Sequence, residues 1–329
     1  MSRAPAMTLR DYFHPPALAA GFTAVLIGYS SSAVIVFQAA RAAGATPEQT
    51  GSWMIALGIG MGLTTLGLSW RYKMPIITAW STPGAALLVT SLQGISLPEA
   101  IGAFIFSAIL ITASGISGWF ERIMDRIPLS IAAAMLAGIL FQFGVEVFRS
   151  FESQFGLVFV MFSVYLGAKV LSPRYAIPLV LIVGIAVSQF QGLLDFSGFG
   201  FTIGSLQWVR PEFSLQALIG VGIPLFIVTM ASQNIPGVAV LRASGYQPPV
   251  SAAIGTTGIA TLLLAPFGGF AINLAAITAA ICAGPEAHED PDKRYLAGLS
   301  NGVCYLLLGL FGATMAGLFA AFPSEFVLA

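Results

Sequence analysis

The chain has 329 residues, of which 57% are hydrophobic and only 9% charged, against about 25% charged in an ordinary soluble domain. Lys plus Arg and Asp plus Glu balance at 14 each, so no surplus of either sign points to a nucleic-acid partner. A soluble globular enzyme is excluded, and the solvent for most of the chain is lipid.

The first residues, MSRAPAMTLRDYFHPP, carry charge but no continuous apolar core before Pro15 and Pro16. They read as a cytoplasmic lead rather than a cleaved signal peptide. A helical crossing needs about 20 mostly apolar residues. In chain order the windows are 17–40, 52–70, 75–91, 98–119, 128–148, 154–171, 176–193, 214–236, 250–266, 268–283 and 295–321, about 11 spans in one membrane domain, 1–329. With the N-terminus in the cytoplasm, the inner loops collect Arg3, Arg10, Arg71, Lys73, Arg122, Arg126, Lys169, Arg174, Arg242, Lys293 and Arg294. The outer loops receive Arg41, Arg149 and Arg210. That is a strong positive-inside bias, and it depends on counting the short windows 75–91 and 268–283 as crossings.

The chain carries a faint self-copy: RAAGATP at 41–47, after the first span, returns as RASGYQP at 242–248, after the eighth. Seven spans separate the copies, so the second is upside down relative to the first, an inverted-topology repeat. The third span of each copy is short and interrupted. In MPIITAWSTPGAALLVTS, Pro75, Pro83 and Gly84 flank a β-branched and aromatic stretch, and Ser81 and Thr82 are placed to cap a half-helix. In PFGGFAINLAAITAAI, Gly268 and Gly269 precede Phe270 and Ala271, and Asn273 stands where the second half-helix is expected to start. Irregular backbone at membrane depth is tolerated where it lines a cavity, so paired half-helices point to a binding site near the midplane.

The first span of each copy is polar in its middle, with Tyr29, Ser30, Ser31 and Ser32 in one and Thr229, Ser232, Gln233 and Asn234 in the other. Serines in membrane helices often bond only their own backbone or a neighbouring helix; a Ser-Gln-Asn triplet before Pro236-Gly237 is more pointed. No Asp, Glu, Lys, Arg or His falls in windows 17–40, 75–91, 214–236 or 268–283. Helix N-termini supply partial positive charge and free N–H groups, so a site built on them favours an anion such as a carboxylate. Tyr29, Phe37, Trp80, Phe226 and Phe270 are the aromatics available to cover a ring.

The segments TMASQNIPGVAVLRASGYQPP at 229–249, TAWSTPGAAL at 78–87 and PFGGFAINLAAITAAI at 266–281 resemble the benzoate/proton symporter family, over the whole chain. More distantly the layout is similar to uracil permease and nucleobase-ascorbate carriers and to sulfate-type anion transporters. The resemblance implies an all-α polytopic membrane protein of the seven-plus-seven inverted-repeat type, with spans 3 and 10 each a short strand plus a half-helix. It divides into a core, 17–119 and 214–321 (spans 1–4 and 8–11), and a gate, 128–193 (spans 5–7). It further implies a bacterial cytoplasmic (inner) membrane location and import of benzoate or a similar aromatic carboxylate with a proton by alternating access. The alternative is another small anion of the sulfate type, or a nucleobase-like substrate, with different coupling.

Substrate-binding candidates are Tyr29, Ser31, Ser32, Trp80, Ser81, Thr82, Gly84, Ser232, Gln233, Asn234, Ala271 and Asn273. By the resemblance, Ser232 and Gln233 stand where nucleobase carriers place a glutamate on span 8, and Ala271 and Ile272 near their span-10 glutamate. Loss of both carboxylates suits an anionic substrate, which they would repel. A complete second repeat implies three further spans after about 321. Either the chain is a piece of a longer one, or a second copy completes the gate as a homodimer.

For the proton, Glu146 near the end of span 5 is the nearest acid, with Glu99 at the start of span 4. Both read as interfacial, and the substrate's own carboxyl is the other carrier. The loop GPEAHEDPDKRY at 284–295 reads as a charged connection rather than a metal site. Cys282 and Cys304 read as packing residues, and Gly58, Gly60 and Gly62 as a close-packing face. No cofactor is expected, and an intramembrane enzyme would need a cluster of His, Asp, Glu or Cys at one depth.

Overall fold

The computed structural model describes residues 14–126, 148–171, 176–194 and 204–311, with 130, 145 and 314 as single positions. Helix α1 (Pro15–Ala42) opens on two prolines, whose fixed φ suits a first helical turn. Its arms Pro15–Tyr29 and Ser31–Ala42 meet at 41°. The Ser31 and Ser32 hydroxyls both donate back to the Gly28 carbonyl at this point, a bonding pattern that bends helices.

Helix α2 (Pro47–Tyr72) starts with a capping box between Thr46 and Gln49 and stops at Lys73, whose φ of 54° is left-handed. The chain then runs extended into β1 (Thr78–Trp80) and turns into α3 (Thr82–Ser91). Helix α4 (Leu97–Ile116) has its own capping box, Ser96 with Glu99, and α5 (Trp119–Met124) follows. Helices α6 (Phe155–Leu171) and α7 (Ala176–Phe190) pack on each other.

The long helix α8 (Leu215–Ala243) contains two widened π-helical stretches, Leu218–Gly222 and Met230–Asn234. Each precedes a proline, Pro224 or Pro236. Proline has no N–H and its ring displaces the carbonyl four residues back, so the ladder slips by one: Ile223 N–H donates to Leu218 and Ile235 N–H to Met230. Helix α9 (Val250–Leu264) ends in a 3₁₀ turn, Ala265–Phe267; then come β2 (Ile272–Leu274), α10 (Ile277–Ala283) and, after a charged loop, α11 (Tyr295–Leu310).

Helices α2, α4, α8 and, extended through its 3₁₀ turn, α9 are long and apolar enough to cross a bilayer, and the two arms of α1 make a fifth such unit. Windows 75–91 and 268–283 are not continuous helices: each breaks into a strand and a short helix. The repeat is visible in the packing, because α2 lies along α11 and α9 lies along α4, the same partnership with the two copies exchanged.

Both partnerships are close contacts between small residues. A Cβ on Gly58 would stand 2.4 Å from the Gly309 Cα, and one on Gly115 would stand 2.4 Å from the Gly255 nitrogen. Gly58 and Gly62 thus form the expected packing face, turned toward α11, while Gly60 makes room for Ile272. An aromatic trio, Trp53, Phe104 and Phe270, fills the interior with ring centroids 5.4 to 5.8 Å apart.

Candidate functional site

The two broken spans meet. Strands β1 and β2 are antiparallel, with Thr78 opposite Leu274, Ala79 opposite Asn273 and Trp80 opposite Ile272. Beyond the strands, Ser81 N–H donates to the Ala271 carbonyl (3.0 Å) and Ala275 N–H to the Ile77 carbonyl (2.9 Å). A two-stranded ribbon has two outer edges, and in a bilayer each unpaired amide there is costly. Side chains satisfy them. On β1, Thr78 N–H donates to Thr65 Oγ1 (3.0 Å) and Trp80 N–H to the Met61 sulfur (3.1 Å), both from α2. On β2, Ile272 N–H donates to Thr261 Oγ1 of α9 (3.0 Å) and Leu274 N–H to Asn234 Oδ1 of α8 (3.0 Å).

These bonds sort the candidates. Asn234 is fully buried, with Oδ1 on the β2 edge and Nδ2 on the Met230 sulfur, so it positions the strand and its amide is already engaged. Trp80 donates its indole N–H to Ser32 Oγ (2.9 Å), whose own proton goes to Gly28. The Trp80 ring meets Tyr29 edge-on at 4.8 Å, and both are buried. Phe270 belongs to the aromatic trio of the interior rather than to a ring-covering wall.

Ser81 is the N-cap of α3 and accepts from Gly84 N–H (3.0 Å). A Cβ on Gly84 would collide with Ser81 and Leu225, so the glycine permits close contact between α3 and α8. Asn273 corrects the sequence expectation: it sits in the middle of β2, and α10 starts only at Ile277, without a side-chain cap. Ala271 has a left-handed φ of 39°, which costs an L-residue roughly 1–2 kcal/mol, and its carbonyl accepts both Ser81 N–H and Asn273 Nδ2 (2.7 Å).

The candidates that keep accessible surface are Ser31 and Ser232, both exposed, with Thr82 and Gln233 half-buried. The Ser232 hydroxyl returns to the Val228 carbonyl (2.5 Å), and Gln233 lies beside it in the π-helical turn. Helix α1 packs on both half-helices, and α8 packs on both as well, so the substrate-binding candidates belong to a single neighbourhood. Glu146 lies outside the described residues. Glu99 is a capping-box residue that accepts from Ser96 N–H and from its hydroxyl, which places it at a helix end and away from the strand crossing.

The strand-edge acceptors Thr65, Thr261 and Met61 are functional residues that the motifs of the sequence do not mark. Each sits on the helix that precedes its strand, Thr65 thirteen residues before Thr78 and Thr261 eleven before Ile272, and a mid-span threonine repeated at that distance was the available signal. In the loop after α10, the His288 ring nitrogen and the Asp290 carboxylate accept from Asp290 N–H and Asp292 N–H. Among the described residues no three His, Cys, Asp or Glu side chains gather to hold a metal.

Two oppositely oriented broken spans, crossing as paired strands among apolar helices and flanked by half-helices, define a secondary-transporter type of membrane protein. The fold is that of the transmembrane domain of a cyanobacterial bicarbonate transporter, BicA, with a TM-score of 0.57 at 14% identity over 98% of this chain and 88% of that one. The family described as benzoate membrane transport protein matches residues 11–329, and the chain belongs to it. It is 44% identical over 322 residues to the benzoate membrane transport protein of Acinetobacter baylyi, covering 98% of this chain and 82% of the relative. It is 51% identical over 313 residues to the inner membrane protein YdcO of Escherichia coli, covering 95% and 80%. The family is one of membrane transporters and not of enzymes.

Proposed function

We propose that the chain imports benzoate, or a similar aromatic carboxylate, together with a proton, by alternating access across the bacterial cytoplasmic membrane. The observation that carries this reading is the strand crossing at Ala79 and Asn273 with the capped N-terminus of α3 beside it, in a chain whose family is named for benzoate. The substrate carboxyl faces Thr82 at the mouth of α3, where a free N–H at the positive end of the helix dipole meets a carboxyl oxygen. Its ring lies toward Ser31, Ser232 and Gln233, which form the accessible polar rim, while Trp80 and Tyr29 back the first strand from its other face.

In this reading α1 to α4 and α8 to α11 form the core that carries the substrate, and 128–193, with α6 and α7, belongs to the gate against which it moves. The N-terminus is cytoplasmic. The Lys169 ammonium of α6 and the Glu286 carboxylate after α10, 3.1 Å apart, form a contact between the two on the cytoplasmic side.

The test is uptake of labelled benzoate by proteoliposomes with and without an inward proton gradient. Accumulation that needs the gradient, and that substituted benzoates suppress while sulfate and uracil do not, is the expected result. Equal suppression by sulfate would replace the aromatic carboxylate with an inorganic anion, and uptake indifferent to the gradient would remove the proton.

A further inference from the structure

At the N-terminus of α3, most donors are already engaged. The Ser81 amide donates to the Ala271 carbonyl, Pro83 has no N–H, the Gly84 amide donates to Ser81 Oγ and the Ala85 amide to the Ser81 carbonyl. The Thr82 amide is the one in this first turn without a partner among the described residues. A helix end prepared for a carboxylate offers several N–H groups; this one offers one N–H, the adjacent Thr82 hydroxyl and the dipole.

Beside it stands an acceptor. Asn273 is fully buried, and its Oδ1 has no hydrogen-bond partner among the described residues. The amide orientation is fixed chemically, since only Nδ2 can donate to the Ala271 carbonyl at 2.7 Å. That same carbonyl receives the Ser81 amide, so the Asn273 amide and the start of α3 converge on one oxygen. The register sets Asn273 opposite Ala79, on the ribbon face away from the one that sends Thr78 to Thr64 and Thr65 and Trp80 to Ser32. A buried carbonyl oxygen with no donor costs about 1–3 kcal/mol, and an anionic carboxylate cannot supply that donor. A protonated carboxyl group can, because it has one O–H and one carbonyl oxygen.

We infer that the site reads the neutral acid: the substrate's O–H donates to Asn273 Oδ1 while its carbonyl oxygen accepts from Thr82. The inference rests on the proposed aromatic-acid reading and makes the substrate the carrier of the coupled proton. Outside, the carboxylate takes up one proton to form the acid; the acid crosses in the site; inside, it releases the proton to water and leaves as carboxylate. One proton moves per substrate, no net charge moves, and no protein side chain changes its protonation state. The titratable and charged groups on the elements packed around the crossing are Tyr29 and Arg41 of α1, Glu48, Arg71 and Tyr72 of α2, Glu99 of α4, Arg242 of α8, Cys282 of α10, and Tyr295, Cys304 and Tyr305 of α11, with Lys73 and Arg294 at helix caps.

The experiment measures binding to the purified full chain between pH 5 and pH 8 for two ligands. One is benzoate. The other is benzamide, a permanently neutral relative with one N–H-bearing arm and one carbonyl. With a carboxylic acid pKa of about 4, the expected result is a benzoate Kd that rises about tenfold per pH unit while that of benzamide stays level. Asn273→Leu should weaken both at least tenfold, and the wild-type pH series decides the matter even where that variant folds poorly. A benzoate affinity level across the range, with benzamide not bound, would overturn the inference and leave the transporter reading standing. Binding of neither ligand at any pH would overturn that reading, and the inference with it.

Discussion

The two broken spans share a plan and differ in execution. The first runs from β1 into a ten-residue helix that is capped by Ser81 and opens with Thr82 and Pro83; the second runs from a fully buried β2 into a seven-residue helix with Ala276 at its cap position and no side-chain cap. The first therefore ends in a polar mouth. The second contributes a wedge: α8 and α9 hold the Leu274 and Ile272 amides of β2, and the carbonyl of a left-handed Ala271 accepts from the buried Asn273 amide. An inverted repeat fixes a symmetric backbone, and a site for an asymmetric ligand then needs the two halves to diverge in side chains. Here one half offers a donor and the other an acceptor.

The arrangement is most sensitive at the approach to the second strand. Gly268 has a φ of 92°, and a Cβ on it would land 1.7 Å from the Trp53 ring. Gly268→Ala should lower stability by about 3 kcal/mol, from left-handed strain plus overpacking, and melt in detergent well below wild type. Next come the strand edges. Asn234→Leu leaves the Leu274 amide buried without an acceptor and should cost about 2–3 kcal/mol, whereas Thr65→Val and Thr261→Val, each removing one acceptor, should cost about 1–2 kcal/mol. Thermal unfolding of the three variants ranks them, and equal melting to wild type would mean the edges find other partners.

Ser81→Ala removes the cap from the first half-helix and should cost about 1 kcal/mol, with weaker benzoate binding. Ala276→Ser on the second half should leave benzoate binding unchanged. The smallest effect is expected at Lys169 and Glu286, side chains 43% and 56% exposed. A pair this exposed contributes about 0–1 kcal/mol and fades in high salt. A hydrogen bond from its own backbone amide, and then Lys169, hold the Glu286 carboxyl below the usual carboxylate range. A depressed acid stabilises only while ionised. The gain is complete above the usual carboxylate pKa and is lost as pH falls through the lowered folded value, so Glu286→Gln and wild type should converge in melting temperature at acid pH.

Much of this arrangement was legible in the sequence. Helix breaks are written in local chemistry, and Pro75, Pro83, Pro266 and Gly268 located both broken spans while Ser81 declared its cap. The polar middles of α1 and α8 were equally visible. What the sequence could not specify was which polar atoms remain available after folding. Asn234 and Asn273 look alike on paper; one closes a strand edge and the other presents an oxygen without a partner, because register and a forty-residue separation decide their neighbours. Asn273 was misplaced at a helix start because a strand of three residues has too short a pattern to read. Thr65 and Thr261 passed as ordinary membrane threonines because their partners are backbone amides with no sequence signature.

Substrate at the mouth of α3, where the strands cross, should protect that helix end from alkylation. With Cys282 and Cys304 replaced by alanine, Thr82→Cys and Thr90→Cys place a thiol at the start and near the end of the same helix. Benzoate should slow maleimide labelling at position 82 and leave position 90 unchanged. Labelling at 82 that is indifferent to saturating benzoate, in protein that still binds it, would put the substrate elsewhere and contradict the account.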